Sequence, residues 1–277
     1  MQSELIVRGG LGNQLFVILE AYRLHLETGR AVALNLTEYD AGKRPDRSFV
    51  AGNLLPQVLT DFRLSASIFA RLRYSLAKLG AKFANRKASS LRLPGDTAYT
   101  YATLGNRHVH IGYFQYIDSS PTDEAALARI KSMFSQFILN AYSNRLAIHI
   151  RRGDYLLAKH SMHGLVDICD LRTEAGRAMQ EGGFEGITVF TDSPELLDIV
   201  EFRSFGVDVT IDQGGGATEV LTRLASHAGI IASNSSFSLW AGLLGRPRYF
   251  SLPQFWMPGI ESTRLGLNWV RRYPCTL

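Results

Sequence analysis

The feature that most constrains this chain is an alternation in its second half. Five short apolar runs lie at Leu146–Ile150, Ile187–Thr191, Val207–Ile211, Gly229–Ala232 and Arg248–Leu252. Stretches with helical spacing separate them, at about Leu171–Gln180, Pro194–Arg203, Thr218–His227 and Ser238–Leu244. Strands alternating with helices predict a parallel sheet covered on both faces, because each parallel connection must cross over the sheet. The fold class expected is therefore α/β.

The first half opens in the same manner. Glu4–Arg8 reads as a strand, Gly9-Gly10-Leu11-Gly12 as a turn, and Asn13–Thr28 as a helix. In that helix Leu15, Phe16, Leu19, Tyr22 and Leu26 recur at three and four, and Gly29 closes it as helix ends prefer. Ala31–Leu36 reads as a second strand. Further on, Ile68, Phe69, Leu72, Leu76, Leu79 and Phe83 form a helical stripe, Val109–Phe114 a strand, and Asp123–Phe137 a helix started by Ser120-Pro121-Thr122. Each half begins its own β-α series. The boundary is placed near residues 138–145, where Asn140, Ser143 and Asn144 cluster, giving domains 1–140 and 141–277. The tail Pro253–Leu277 is rich in Trp and Pro.

A chain of 277 residues, 46% hydrophobic and 20% charged, is not disordered, collagen-like or a disulfide scaffold. No apolar run approaches the roughly 20 residues that span a bilayer. The opening MQSELIVRGG lacks the basic and apolar regions of a secretory signal. Two cysteines, Cys169 and Cys275, make no framework, so a cytoplasmic location is expected. The net charge of +5 points to anionic partners: nucleic acid, phosphorylated ligands or an acidic membrane surface. Nucleic acid is set aside, because no motif interleaves basic and aromatic residues.

Four constellations carry chemistry. The first is Gly9-Gly10-Leu11-Gly12-Asn13-Gln14 between strand and helix, where glycines admit a ligand close to the backbone and a helix start favours anions. Its spacing matches neither a dinucleotide fingerprint nor a P-loop. The bland reading is a tight turn, but two amides there serve packing poorly. The second is His149-Ile150-Arg151-Arg152-Gly153-Asp154-Tyr155 at a strand C-terminus, where ligands of open α/β sheets gather. Two arginines and a histidine suit a pyrophosphate, against the bland reading of a surface ion pair. The third is Val189-Phe190-Thr191-Asp192-Ser193-Pro194, which offers a carboxylate for a base or ribose, or simply a Ser193 N-cap before Pro194. In the fourth, Ile230–Trp240, a strand meets Ser233-Asn234-Ser235-Ser236-Phe237-Ser238 and then a helix. Its hydroxyls and N–H groups could cradle phosphate oxygens, and they exceed what an N-cap needs.

Metal chemistry is poorly supported. No Asp-x-Asp occurs, and the His108/His110 and His160/His163 pairs lack an accompanying Cys or carboxylate set. The absence of Gly-x-Ser-x-Gly argues against an α/β-hydrolase.

In this order the motifs resemble the α-1,2-fucosyltransferases. The segments concerned are Gly-Gly-Leu-Gly-Asn-Gln-Leu-Phe (9–16), His-Ile-Arg-Arg-Gly-Asp-Tyr (149–155) and Ala-Ser-Asn-Ser-Ser-Phe-Ser-Leu-Trp-Ala (232–241). Weaker echoes are Gly112-Tyr113-Phe114-Gln115, His163-Gly164 and Phe255-Trp256. The second segment alone is also similar to α-1,6- and protein O-fucosyltransferases. Departures are Ser233 inside a usually contiguous Ala-Asn-Ser-Ser, Leu239 in place of an aromatic, and a single acid in Thr191-Asp192-Ser193.

The resemblance implies a GT-B-like architecture, two Rossmann-like domains facing a cleft, with an acceptor-side first domain and a second that binds a GDP-sugar. It implies GDP-L-fucose as donor, a galactose 2-hydroxyl of an oligosaccharide or O-antigen repeat as acceptor, inversion at the anomeric carbon, and no cofactor or obligatory metal. By similarity Arg151 binds the pyrophosphate, aided by Arg152, Gly10, Gly12, Asn13 and the loop Asn234, Ser235, Ser236, Phe237 and Ser238. His149 and Asp192 flank the nucleoside, with Asp192 the candidate for guanine. Asp154 is the candidate general base, or orients one. Alternatives are transfer of another GDP-sugar, another fucose linkage, or a catalytically idle module that binds GDP or glycan.

Finally, residues 71–92 hold seven Lys or Arg and no Asp or Glu. Leu72, Leu76, Leu79 and Phe83 share one helical face, and Lys78, Lys82 and Arg86 another. Two readings stay open. In one the stripe packs on the first domain beneath a solvated basic face. In the other the helix makes peripheral contact with an anionic membrane.

Overall fold

The computed structural model describes residues 2–40, 48–84, 100–104, 106–118, 120–138, 143–156, 163–197 and 200–277. The chain divides into two compact units, residues 1–134 and 135–277. Both are α/β and Rossmann-like, as the alternation predicts.

The first unit runs β1 (Gln2–Ile6), α1 (Leu11–Thr28), β2 (Val32–Asn35), the single turns α2 (Thr37–Asp40), α3 (Ala51–Leu54) and α4 (Val58–Asp61), then β3 (Arg63–Ser65), α5 (Ile68–Ala84), β4 (Thr100–Leu104), β5 (Arg107–Ile111) and α6 (Pro121–Ile138). Its sheet has the order β3-β2-β1-β5-β4, with β4 antiparallel to β5 and every other pairing parallel. Strand β1 is central and buried, so its residues alternate between two covered faces: Leu5 and Ile6 are both inaccessible. Helix α1 starts two residues before the predicted Asn13, because Gly10 acts as its N-cap, and it ends at Gly29 in the left-handed conformation. Leu26, assigned to its apolar stripe, is exposed. The charged residues Arg23, Glu20 and Asp123 are buried together, Arg23 pairing with both acids, and Asp123 thereby ties α6 to α1.

In helix α5 the described residues of the stripe do not pack on the first unit's sheet. The buried positions of the helix are Ala70 and Ala77, with Tyr74 packed against Ile6, Val109 and Ile111 of the sheet. Small residues bring the helix axis close, and the large apolar residues of the stripe point the other way. The side chains of residues 80–84 and all of 85–92, the rest of the basic segment, lie outside the description.

The second unit runs β6 (Ser143–Ile150), a 3₁₀ turn (Gly153–Leu156), α7 (Ile168–Gly182), β7 (Gly186–Thr191), a 3₁₀ turn (Pro194–Leu196), α8 (Val200–Arg203), β8 (Asp208–Ile211), α9 (Ala217–Ala225), β9 (His227–Ile231), α10 (Ser236–Leu244), β10 (Tyr249–Pro253), the hairpin β11 (Phe255–Met257) and β12 (Ile260–Glu261), a 3₁₀ turn (Ser262–Leu265) and β13 (Arg271–Tyr273). The sheet order is β13-β10-β9-β6-β7-β8, parallel throughout. Numbered by appearance without the hairpin, and read from β8, this is 3-2-1-4-5-6, the dinucleotide-fold order. Leu146, Ile148, Ile187, Val189 and Ile231 pack beneath α7 in its main core.

Three expectations change here. The helix predicted over Pro194–Arg203 is a 3₁₀ turn and a separate single turn. The one predicted over Thr218–His227 stops at Ala225, because His227 begins β9. The tail supplies an edge strand, β13, that three residues of Arg-Arg-Tyr did not announce. Cys169 and Cys275 are free thiols.

Candidate active site

In the second sheet β6 and β9 are neighbours, but the chain leaves β6 toward β7 on one side and β9 toward β10 on the other. The two outgoing connections therefore diverge at the strand C-termini and open a crevice, the place where such sheets take ligands. The sequence puts His149–Tyr155 on one lip and Ser233–Ser238 on the other.

A hydrogen bond joins the lips. His149 Nδ1 lies 2.7 Å from Ser233 Oγ, and its ring centroid is 5.8 Å from that of Phe237. His149 is buried; burial first, and the neighbouring Arg151 second, push its pKa down to about 3. It is a neutral imidazole at physiological pH, so it adds no positive charge for a pyrophosphate, contrary to the expectation of a third cation. The Ser233 insertion, read as a departure from the family pattern, supplies the partner that fixes this ring. Tyr273 anchors the same lip from β13, its hydroxyl donating to the Ala232 carbonyl at 2.7 Å.

Arg151 and Asp192 form the charged centre. Arg151 Nη1 is 2.7 Å from Asp192 Oδ2, with both side chains partly exposed. Asp192 Oδ1 accepts from the backbone N–H groups of Arg152 at 2.9 Å and Gly153 at 3.1 Å. One carboxylate thus clamps the β6 loop and orients its first arginine. The acid expected beside guanine is committed to the loop. Gly153 is essential to this approach: a Cβ there would lie 2.3 Å from Asp192 Oδ2. Ser193 does not cap with its side chain; its hydroxyl accepts from Gly153 N at 3.1 Å. Ser193 does stand at the N-cap position before Pro194, as the bland reading has it, but its hydroxyl serves the β6 loop. Gly153 and Ser193, both missing from the sequence-derived site, complete the clamp. The glycine within Arg-Arg-Gly-Asp was the available signal.

Arg152 points elsewhere. Its Nη2 donates to the Val166 carbonyl at 2.9 Å and Nη1 to the Arg151 carbonyl at 3.3 Å. Burial lowers its pKa, opposed by Asp167 and Asp192. It braces the segment before α7, and Arg151 is the cation at the crevice. Asp154 sits on the 3₁₀ turn after β6, with its side chain outside the description.

The hydroxyl-rich lip is more structural than its composition suggests. Tyr155 stacks on His163 at 4.8 Å and donates to the Asn234 carbonyl at 3.3 Å. Asn234 Nδ2 donates to the His163 carbonyl at 2.7 Å and to that of Gly164 at 3.3 Å. Ser235 caps α10 by accepting from Phe237 N, and Ser238 Oγ donates back to the Ser235 carbonyl. Ser236 and Phe237 occupy the first turn of α10, half-buried.

The glycine loop of the first unit is built from its own amides. Gln14 is buried; its Nε2 donates to the Ser48 carbonyl at 2.8 Å and that of Gly9 at 3.3 Å, and its Oε1 accepts from Val50 N and Ala51 N at 3.0 Å each. The expectation that amides here serve packing poorly is overturned: Gln14 satisfies four backbone groups at once. Asn13 Oδ1 accepts from Gln115 Nε2 at 2.7 Å, and Tyr39 donates to the Gly9 carbonyl at 2.8 Å. Gly9 adopts φ +78°, and a Cβ there would meet Asn13 Nδ2 at 2.7 Å. Gly10 caps α1 and Gly12 lies buried inside it. Phe114, buried, has φ +52°, a strained value for a bulky residue; it lies beyond the end of β5 at Ile111 and next to Gln115. Gln115 and Tyr39 are members of this cluster that the sequence-derived site lacks. Of the histidine pairs, His160 lies outside the description, and no cluster of three or more potential metal ligands exists among the described residues.

No protein-family model matches the sequence, and no curated protein does. Among solved structures the chain is similar to the fucosyltransferase NodZ from Bradyrhizobium (12% identity, 88% of this chain and 93% of that one, TM-score 0.49). It is similar to POFUT1 in complex with GDP (11%, 91% and 97%, TM-score 0.46) and to E. coli heptosyltransferase WaaC with ADP (13%, 99% and 93%, TM-score 0.44).

Proposed function

We propose that this protein is a glycosyltransferase that takes L-fucose from GDP-L-fucose, with inversion, to a galactose 2-hydroxyl of an oligosaccharide or O-antigen repeat. One observation carries the reading: an arginine oriented by a clamped carboxylate at the switch point of a dinucleotide-order sheet. It is supported by the order of the three motif segments along the chain.

In this reading Arg151 receives the diphosphate. As the bond from fucose C1 to the β-phosphate oxygen breaks, negative charge builds on that oxygen, and a planar, permanently charged fork placed there stabilises it without a metal. Asp192 holds the fork, and neutral His149 with Phe237 flanks the nucleoside. Ser235, Ser236, Ser238 and Asn234 shape the phosphate side. The acceptor hydroxyl attacks C1 from the face opposite the leaving group and loses its proton to Asp154, or to a base that Asp154 orients.

The test is GDP release from GDP-fucose against a panel of β-galactosides, in excess EDTA. Turnover with a β-galactoside, unaffected by chelation and not competed by other GDP-sugars, is expected. Tight GDP binding without turnover would mean an idle binding module. Loss of activity on chelation, restored by manganese, would mean a metal-dependent site.

A further inference from the structure

Helix α5 presents an apolar face to solvent. Ile68, Phe69, Leu72, Leu76 and Leu79 are 76%, 68%, 55%, 44% and 52% exposed, five of the eleven large exposed hydrophobics among the described residues. At about 100° per residue they fall within an arc of about 100°, so they form one stripe and not a scatter. A stripe of that kind marks a surface that is covered in use. The helix is already held on its other side by Ala70, Tyr74 and Ala77, so the stripe is not needed for its own packing.

The surroundings of the stripe are cationic. Among residues 62–79, four are Arg or Lys and none is Asp or Glu. Arg71 and Lys78 are exposed on the flank of the stripe, and Lys82 follows Lys78 at helical spacing four. Beneath the first turns of α5 a cavity of about 180 Å³ is lined by Arg63, Arg73, Arg107, Ser65 and Ser67, with Phe69 of the stripe at its wall. That volume corresponds to roughly six waters, room for a phosphate group. Two of its arginines share one buried acid: Arg73 Nε lies 2.7 Å, and Arg107 Nη1 3.5 Å, from Glu4 Oε2. Among the described residues at the cavity, three guanidiniums face one carboxylate, an excess of two positive charges.

We propose that the α5 face docks on an anionic lipid bilayer, its leucines entering the interface and a lipid phosphate entering the arginine cavity. Both halves of the surface suit this partner: large apolar side chains for the acyl boundary, and cations with phosphate-sized room for the headgroups. A second copy of the chain suits it poorly, because two faces with an excess of cations would meet. The proposal is independent of the transfer chemistry.

The experiment is co-sedimentation of the full chain with phosphatidylcholine vesicles and with vesicles in which part of that lipid is replaced by phosphatidylglycerol. At low salt the protein is expected to prefer the anionic vesicles by about tenfold or more, and to release in about 1 M salt, where charges are screened within a few ångströms. The triple variant Leu72→Ser/Leu76→Ser/Leu79→Ser should lose about a hundredfold in partitioning, since each leucine loses apolar contact. Arg63→Gln and Lys78→Gln should each lose about fivefold, the equivalent of about 1 kcal/mol per cation. All these positions are exposed, so thermal melting monitored by circular dichroism should be unchanged. Equal partitioning to both vesicle types, no partitioning at all, or a triple variant that binds as well as the parent would overturn the proposal. So would concentration-dependent dimerisation in ultracentrifugation that the triple variant abolishes, because the stripe would then belong to a second copy.

Discussion

The loop after β1 in the first unit and the loop after β6 in the second both carry glycine and polar residues at the C-terminal end of a buried parallel strand. They are built differently. After β1 the polar groups close on one another: Gln14 is saturated by four backbone partners, and Asn13 is bonded to Gln115. After β6 a carboxylate from the next strand, Asp192, takes the backbone N–H groups and one edge of Arg151. The first arrangement fixes a turn. The second fixes a turn and aims a permanent charge. Polar residues at a strand end are thus engaged in holding their own loop before any is available to a ligand.

The contrast can be broken from either side. The largest effect is expected at Arg151: Arg151→Ala should lower kcat/KM for the donor by about 10²–10³, the range for removing a donor to a developing oxyanion, and Arg151→Lys should not rescue it because the fork is gone. Steady-state kinetics of both variants check this, and activity within about threefold of the parent would remove Arg151 from the role. On the other side, Gln14→Ala orphans four backbone groups and should lower stability by about 3 kcal/mol in urea unfolding, while the folded fraction binds GDP as before.

The clamp itself comes next. Gly153→Ala forces a methyl group onto the Asp192 carboxylate and should destabilise by about 1–3 kcal/mol, with a fall in activity. In a double-mutant cycle with Asp192→Ala the two changes should be markedly non-additive. Additive effects would mean that the clamp does not act as a unit.

The smallest effect concerns protons. His149 is held neutral, its pKa pushed down to about 3 by burial and then by Arg151, whereas the unfolded chain takes up a proton near pH 6.5. The unfolded state therefore binds more protons below pH 6.5. The stabilising contribution is complete above that value and is lost as pH falls toward 3. At pH 5.5 the loss from this one group is about 1.4 kcal/mol. His110 in the first unit, pushed down to about 4 by burial and His108, acts in the same direction. Unfolding free energies from pH 8 to 5 should show His149→Gln flattening the profile without abolishing it, because His110 remains; a profile identical to the parent would contradict a neutral buried His149.

How much of this was legible in the sequence depends on whether the signal is local. The α/β class and most strands were readable, because parallel strands buried on both faces are apolar runs and their crossover helices carry a period of their own. The location of the candidate site was readable too, since His149–Tyr155 and Ser233–Ser238 each follow such a run. Which polar group holds which was not. Asp192 and Gly153 are 39 residues apart, and Gln14 and Val50 are 36 apart, and no spacing rule links them. The direction of the α5 stripe was left open for a related reason. Periodicity finds the two faces of a helix, but Ala70 and Ala77 carry little hydrophobic signal although they form its packed side. Strand β13 is three residues long and includes two arginines, so it had no pattern to read.

The central claim is that the diphosphate of the donor is held by Arg151 at the ends of β6 and β9. Calorimetric titration of GDP and of guanosine onto the parent and onto Arg151→Ala tests it most directly. The account predicts that the variant binds GDP at least about tenfold more weakly, from loss of a charge-assisted contact of about 1.5–3 kcal/mol, and binds guanosine with unchanged affinity. Equal GDP affinity in the two proteins, or a parallel loss for guanosine, would contradict it.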